Sequence, residues 1–227
     1  MAKHGKKYRA IREKAPEEVV ELDAAVAFLK QNPAAKFDET VELSIRLGVD
    51  PKKSENAIRG SVSLPHGTGK TMRVLVFAAG AAADAAREAG ADHVGMEDMI
   101  EKVKDGWTDF DAAIATPEAM KEVRKLGRVL GPRGLMPNPK TGTVTDDTAA
   151  AVAACKAGKV DFRMDRQGNV AAPVGKLSFD AAKLAENVRS VIAAVRAEKP
   201  AGARGVFFKN CGLSTTMGAG VRINVTD

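Results

Sequence analysis

Gly67-Thr68-Gly69-Lys70-Thr71 is the run in this 227-residue chain that most resembles nucleotide chemistry. A phosphate-binding P-loop ends in such a run, but it also carries a glycine five residues before the position of Gly69, where Leu64 stands here. It must follow a strand and open a helix, so that backbone N–H groups converge on phosphate. The residues after Thr71 read as a strand instead, so a hinge between domains accounts for these glycines better. His4, His66 and His93 show neither metal-ligand spacing nor a partner for nucleophilic catalysis. Cys155 and Cys211 form no CxxC pair, which excludes a zinc ribbon or thioredoxin chemistry and leaves two structural thiols. No catalytic constellation, cofactor site or metal site is expected.

A second run has chemistry of another kind. Leu126 to Thr143, LGRVLGPRGLMPNPKTGT, holds four glycines and three prolines and is expected as an ordered loop rather than a regular element. Residues 121–140 carry Lys121, Arg124, Lys125, Arg128, Arg133 and Lys140 against Glu122 alone. Such a cluster in an otherwise acidic stretch points to RNA phosphate more than to a solvated face.

The elements that would position these residues fall into two rhythms. Val41, Leu43, Ile45 and Leu47 alternate with polar residues, the period of a half-buried strand. Residues 52–59 read as a short helix and Ser61–Leu64 as a strand closed by the turn Pro65-His66-Gly67. From about residue 70 the pattern changes. Arg73–Phe77, Asp92–Gly95 and Phe110–Ala115 read as strands, alternating with helices over Ala82–Ala89, Glu97–Lys104 and the stretch after Pro117. A last helix spans 146–157, capped by Asp146 or Asp147 and stopped by Gly158. Alternating strands and short helices indicate a small parallel α/β sheet. The turn Ala78-Ala79-Gly80-Ala81-Ala82 lacks the three-glycine dinucleotide fingerprint.

After residue 159 alternation returns. Val160, Phe162 and Met164 lead through Asp165-Arg166-Gln167-Gly168 into Asn169–Ala172, which reads as a hairpin. Phe179–Arg196 is the longest helix, with Leu184, Val188, Val191, Ile192 and Val195 on one stripe. Gly205–Thr216 and Val221–Val225 are strand-like. The fold class is therefore α/β and α+β in two domains. Residues 1–67 and 159–227 make a discontinuous antiparallel α+β sandwich, and 68–158 is an inserted parallel α/β domain.

Charge divides the chain in the same place. The net charge is +6 and the sequence pI about 9.3. Residues 1–68 and 159–227 together carry 23 basic and 16 acidic side chains, whereas residues 69–158 carry twelve and thirteen. A basic body interrupted by a neutral one suggests a polyanionic partner for the former. The longest apolar run, Val74–Ala83, is half of what a membrane helix needs. With no signal-peptide pattern at the basic N-terminus, a cytoplasmic protein without membrane contact is expected.

The quoted loop also resembles the signature of the bacterial ribosomal protein L-one family, and the likeness extends over nearly the whole chain. It takes in Lys3-His4-Gly5-Lys6-Lys7-Tyr8-Arg9, Ala35-Lys36-Phe37-Asp38-Glu39-Thr40-Val41-Glu42, Arg59-Gly60 and Leu64-Pro65-His66-Gly67. It continues through Gly106-Trp107 to Asp111, Ala172-Pro173-Val174-Gly175-Lys176 and Ser214-Thr215-Thr216-Met217-Gly218. The resemblance implies a discontinuous RNA-binding domain with a Rossmann-like insertion. It also implies a place in the large ribosomal subunit, on the stalk region of the large-subunit rRNA near the exit site. Help in releasing deacylated exit-site tRNA and repression of the protein's own mRNA belong to the same expectation. The rival reading is a nucleotide-binding enzyme that uses the central α/β domain.

Carried over by position, Lys36, Phe37 and Thr40 would form one half of an rRNA and mRNA contact surface. Thr216, Met217 and Gly218 would form the other. Lys36 suits phosphate, and Phe37 is equally a ring for a ribose or base and a core aromatic. Thr216 can exchange hydrogen bonds with a ribose 2′-hydroxyl. Met217 offers an adaptable apolar contact, and Gly218 allows close backbone approach. Arg128, Arg133 and Lys140 are expected to touch a transient RNA such as exit-site tRNA. With aromatics at only 4%, recognition by shape and backbone is favoured over base stacking.

Overall fold

A computed structural model describes residues 5–51, 57–200, 202–203 and 205–225. The chain divides into two compact units, 1–69 with 160–227 and 70–159. It opens with helix α1 (Lys6–Lys14) and helix α2 (Leu22–Gln31), then strand β1 (Thr40–Leu47) and strand β2 (Arg59–Ser63). α2 buries Ala25, Val26 and Leu29, spaced to make one stripe. In β1 the alternation read from sequence is realised: Val41, Leu43, Ile45 and Leu47 are buried and the intervening side chains are exposed. Of the helix expected at 52–59, residues 52–56 lie outside the described residues, and Arg59 already belongs to β2.

The inserted unit follows. Strand β3 (Val74–Phe77), helix α3 (Ala81–Glu88), strand β4 (His93–Gly95), helix α4 (Glu97–Lys104) and strand β5 (Ala112–Ala115) alternate as expected. The strands pair in parallel in the order β4-β3-β5, and Val144 extends the sheet by one bridge to Ala115. Every residue of β3 is buried because both faces are covered. Leu75 and Phe77 point into one cluster with Val103 and Leu130, while Val74 and Val76 point into another with Ala86 and Val152. The tract after Pro117 is short helical turns: α5 (Met120–Val123), a 3₁₀ turn (Arg124–Leu126) and α6 (Gly127–Leu130). Helix α7 (Thr148–Lys156) closes the unit, its N-terminus capped by the Asp147 side chain, which accepts from the Ala150 amide at 3.0 Å.

The chain then returns to the outer unit. Strand β6 (Lys159–Arg163) pairs with β2, whereas strand β7 (Asn169–Lys176) pairs antiparallel with β1. The expected hairpin is therefore a tight turn without a ladder. Asp165 organises the turn by accepting from the Gln167 and Asn169 amides, but the two strands it joins enter different sheets. Helix α8 (Ala181–Ala197) lays Leu184, Val188, Val191 and Val195 on the core, fully buried. Strands β8 (Phe208–Thr215) and β9 (Val221–Ile223) complete an antiparallel sheet in the order β7-β1-β8-β9. Cys155 and Cys211 are both buried, one in each unit. Among the described residues, no helix is long and apolar enough to cross a membrane.

Candidate nucleic-acid interface

β1 lies between β7 and β8, so its first residue meets the last residues of both. Thr40 faces Lys176, and Val41 faces Thr215. The segment that leads into β1 and the segment that leaves β8 therefore share one edge of the outer unit. What ties them is Glu39, whose side chain is 0% exposed. Its Oε1 accepts from the amides of Ala34 at 2.8 Å and Ala35 at 2.7 Å, and its Oε2 accepts from the Met217 amide at 3.0 Å. Burial pushes this carboxyl up, but the Met217, Ala35 and Ala34 amides and the neighbouring Thr215 hydroxyl hold it below its ordinary value. The Thr215 Oγ1 makes no hydrogen bond of ordinary geometry, so the three amides carry the ionised form.

Around this anchor the six residues singled out from sequence take distinct places. Phe37 and Met217 are each 58% exposed, which removes the core alternative for Phe37. Lys36 is exposed beside Phe37. Thr40 is half-buried, and Lys176 Nζ donates to its Oγ1 at 3.0 Å. Thr216 is exposed, yet its hydroxyl already serves the protein: Oγ1 accepts from the Thr40 amide at 3.1 Å, and the Thr216 amide donates to the Thr40 carbonyl at 3.1 Å. Gly218 is required by close approach. A Cβ there would stand 2.2 Å from Thr215 Oγ1. Below the rim, Asp38 accepts from the Ser178 amide at 3.0 Å and from its hydroxyl at 2.8 Å.

The basic tract of the inserted unit is anchored just as firmly but is more helical than expected. Its glycines do not prevent α6, which spans Gly127–Leu130, nor a 3₁₀ turn at Pro139–Thr141. Gly127 and Gly131 lie one helical turn apart, with the Gly131 amide donating to the Gly127 carbonyl at 3.0 Å. Asn138 gathers the far end. Its side chain accepts from the Lys140 amide at 2.8 Å, and its carbonyl accepts from the Thr141 and Thr143 amides. Arg128, Arg133 and Lys140 are all exposed on this scaffold, and the Arg133 guanidinium donates to Thr108.

The sequence model of the Ribosomal protein L1p/L10e family matches residues 29–219. Large ribosomal subunit protein uL1 of Chlamydia trachomatis serovar D is 53% identical over 228 residues, covering all of this chain and 98% of that protein. The protein of the same name from serovar L2 is 52% identical over the same span. The chain belongs to the Ribosomal protein L1p/L10e family.

As a ribosomal protein of that family it is a structural protein rather than an enzyme. The Gly67–Lys70 run has no helix behind it. Gly67 and Gly69 take positive φ of 65° and 71°, and a Cβ on Gly69 would lie 2.9 Å from the Lys176 and Phe179 side chains. Lys70 Nζ is engaged by Asp111 Oδ1 at 2.5 Å. The stretches Lys36 to Thr40 and Thr216 to Gly218 thus sit at one edge, joined by side chains to which the sequence assigned no site role: Glu39, Asp38, Lys176 and Ser178. Glu39 had a legible signal. It has the same parity as Val41, Leu43, Ile45 and Leu47, so a carboxylate sits on the inward face of β1.

Proposed function

We propose that this protein is a constituent of the large ribosomal subunit that binds the stalk region of the large-subunit rRNA near the exit site through its outer unit. In this reading residues 1–67 and 159–227 form the rRNA-binding domain, and Lys36, Phe37, Thr40, Thr216, Met217 and Gly218 touch the RNA. The carrying observation is the exposed Phe37 and Met217 held on two distant segments by the buried Glu39. Large exposed apolar side chains on a fixed backbone cost solvation unless a partner covers them. Flanking Lys36 and backbone groups of a glycine turn suit ribose and phosphate.

The inserted unit, 68–158, has a second role. Arg128, Arg133 and Lys140 meet exit-site tRNA transiently and assist release of the deacylated molecule. The same outer-unit surface binds the protein's own mRNA and represses its translation, because one surface accepts any RNA of the same folded shape. The protein works in the cytoplasm, bound to the ribosome, with no cofactor. The test is titration of the full chain, of residues 1–67 linked to 159–227, and of residues 68–158, against an rRNA stalk fragment. The first two should bind with similar affinity and the third weakly. Retention of the affinity by 68–158 alone would overturn the reading.

A further inference from the structure

The chain that follows helix α1 pairs with strand β9, the strand entered from the loop after β8. Val20 bridges Ile223 of β9: the Val20 amide donates to the Arg222 carbonyl at 3.1 Å and the Asn224 amide to the Val20 carbonyl at 2.9 Å. Asn224 Nδ2 also donates to Glu21 Oε1 at 3.2 Å. These bonds dock the chain between the two helices on β9, and α1 lies just upstream of them.

The helix itself is unlike the rest of the molecule. Lys6, Lys7, Arg9, Arg12 and Lys14 stand against Glu13, and none of its nine residues is buried. A nine-residue helix is marginal in water unless an apolar face packs on a core. Within it only Tyr8 and Ile11 are half-buried, so burial supports this helix weakly. Between α1 and the loop after β8 lies a cavity of about 340 Å³, lined by Tyr8, Arg12, Glu17, Ala219, Gly220 and Arg222 among others. Ala219 and Gly220 directly follow Met217 and Gly218, so this groove continues the rim built around Glu39.

We propose that the groove between α1 and the Ala219–Arg222 segment is a phosphate-backbone site for the bound RNA. Arg12 reaches it from the helix and Arg222 from β9, and the RNA strand stabilises α1. Two arginines from different elements line one cavity, and a guanidinium has the fork geometry that phosphate oxygens accept. The excess of Lys and Arg on α1 disfavours a basic peptide and favours a polyanion, and two arginines outweigh Glu17 at the groove. The occupant is an RNA strand, and the proposal rests on the rRNA-binding reading above.

The test uses the full chain and an rRNA stalk fragment, titrated at several salt concentrations. Arg12→Ala and Arg222→Ala should each lower the slope of log affinity against log salt by about one, and the double variant should bind roughly tenfold more weakly. Arg12→Lys should keep the slope. Arg166→Ala, in the β6–β7 turn at the opposite end of β1 from Thr40, should change neither quantity. Amide hydrogen exchange across residues 6–14 should slow when RNA is added to the unsubstituted protein. If that protein binds the fragment but the double variant keeps its affinity and slope, or exchange over 6–14 is unchanged, the groove is not a phosphate site and the rRNA reading stands. If the unsubstituted protein does not bind the fragment, both fall.

Discussion

Met217 donates its backbone amide to the Oε2 of Glu39 at 3.0 Å, although 178 residues separate them. One buried carboxylate thereby sets the position of an exposed apolar side chain on the far end of the chain. The same carboxylate accepts from Ala34 and Ala35, next to Lys36 and Phe37. Both halves of the proposed RNA surface hang on it.

Glu39→Gln should therefore cost both stability and affinity. The amide keeps the size but replaces one acceptor by an NH₂ that must face a backbone N–H. A buried donor without its acceptor costs about 1–3 kcal/mol. Chemical denaturation and RNA titration should both register the loss. The pH dependence follows from the direction of the shift. The folded carboxyl sits below its ordinary value of 4.5, so the unfolded chain binds more protons in that region. Its contribution to stability is fully present above about 4.5 and is lost as pH falls through the lower folded value. Glu39→Gln should flatten this acid limb. An unchanged limb would mean that other carboxylates govern acid unfolding.

Thr216 requires two substitutions, because its hydroxyl accepts from the Thr40 amide at 3.1 Å. Thr216→Val removes that acceptor and should lower stability by about 1 kcal/mol whether or not RNA touches the hydroxyl. Thr216→Ser keeps the hydroxyl and should remain close to the unsubstituted protein in both stability and affinity. The salt slope should be the same for both variants, since no charge is lost, while Lys36→Ala should reduce it by about one. Equal affinity for Thr216→Val and the unsubstituted protein would show that this hydroxyl serves the fold alone.

These side-chain roles differ in how much of them the sequence carries. β1, α8 and the βα alternation of the insert were legible because their apolar periods are long and regular. The β6–β7 connection was misread because Asp165 to Gly168 has all the chemistry of a hairpin turn. Turn residues specify local reversal, not which sheet each strand joins. The basic tract was misread as wholly irregular because glycine disfavours helix only by local propensity, and packing of Leu126 and Leu130 into the core overrides it at Gly127, while Pro139 opens a 3₁₀ turn, a place that suits proline. Thr216 could be placed on the rim from its motif, but its bond to Thr40 depends on the β1–β8 register, which no local pattern contains.

The tract bearing Arg128, Arg133 and Lys140 belongs to the inserted unit, whose parallel sheet and core are its own. Replacing all three by Ala should leave stability nearly unchanged, because the three side chains are exposed and Asn138 holds the turn through backbone groups. Affinity for the stalk fragment should also persist. Departure of deacylated tRNA from ribosomes carrying the variant, followed in a stopped-flow release assay, should change. A loss of stalk affinity as large as that of Lys36→Ala would move these cations to the rRNA side.

Gly218 offers the sharpest test of the rim's geometry. Its φ is not positive, so strain of the backbone does not demand glycine there. Space does, since an added Cβ would meet Thr215 Oγ1 at 2.2 Å, while the Thr215 Cβ stands off at 3.5 Å. Gly218→Ala should thus displace the Thr215–Gly218 turn, in which the Gly218 amide donates to the Thr215 carbonyl at 3.2 Å. Overpacking of this kind costs about 1–3 kcal/mol. Thr215→Ala removes the obstructing oxygen, and because that oxygen makes no ordinary hydrogen bond the single substitution should cost little. In the Thr215→Ala background, Gly218→Ala should then lose most of its penalty, a coupling measurable by a double-mutant cycle in urea. Thr215→Ser keeps the oxygen and should give no relief. If the two substitutions prove additive, the clash is absorbed elsewhere, and the need for glycine at 218 comes from the RNA that approaches it rather than from Thr215.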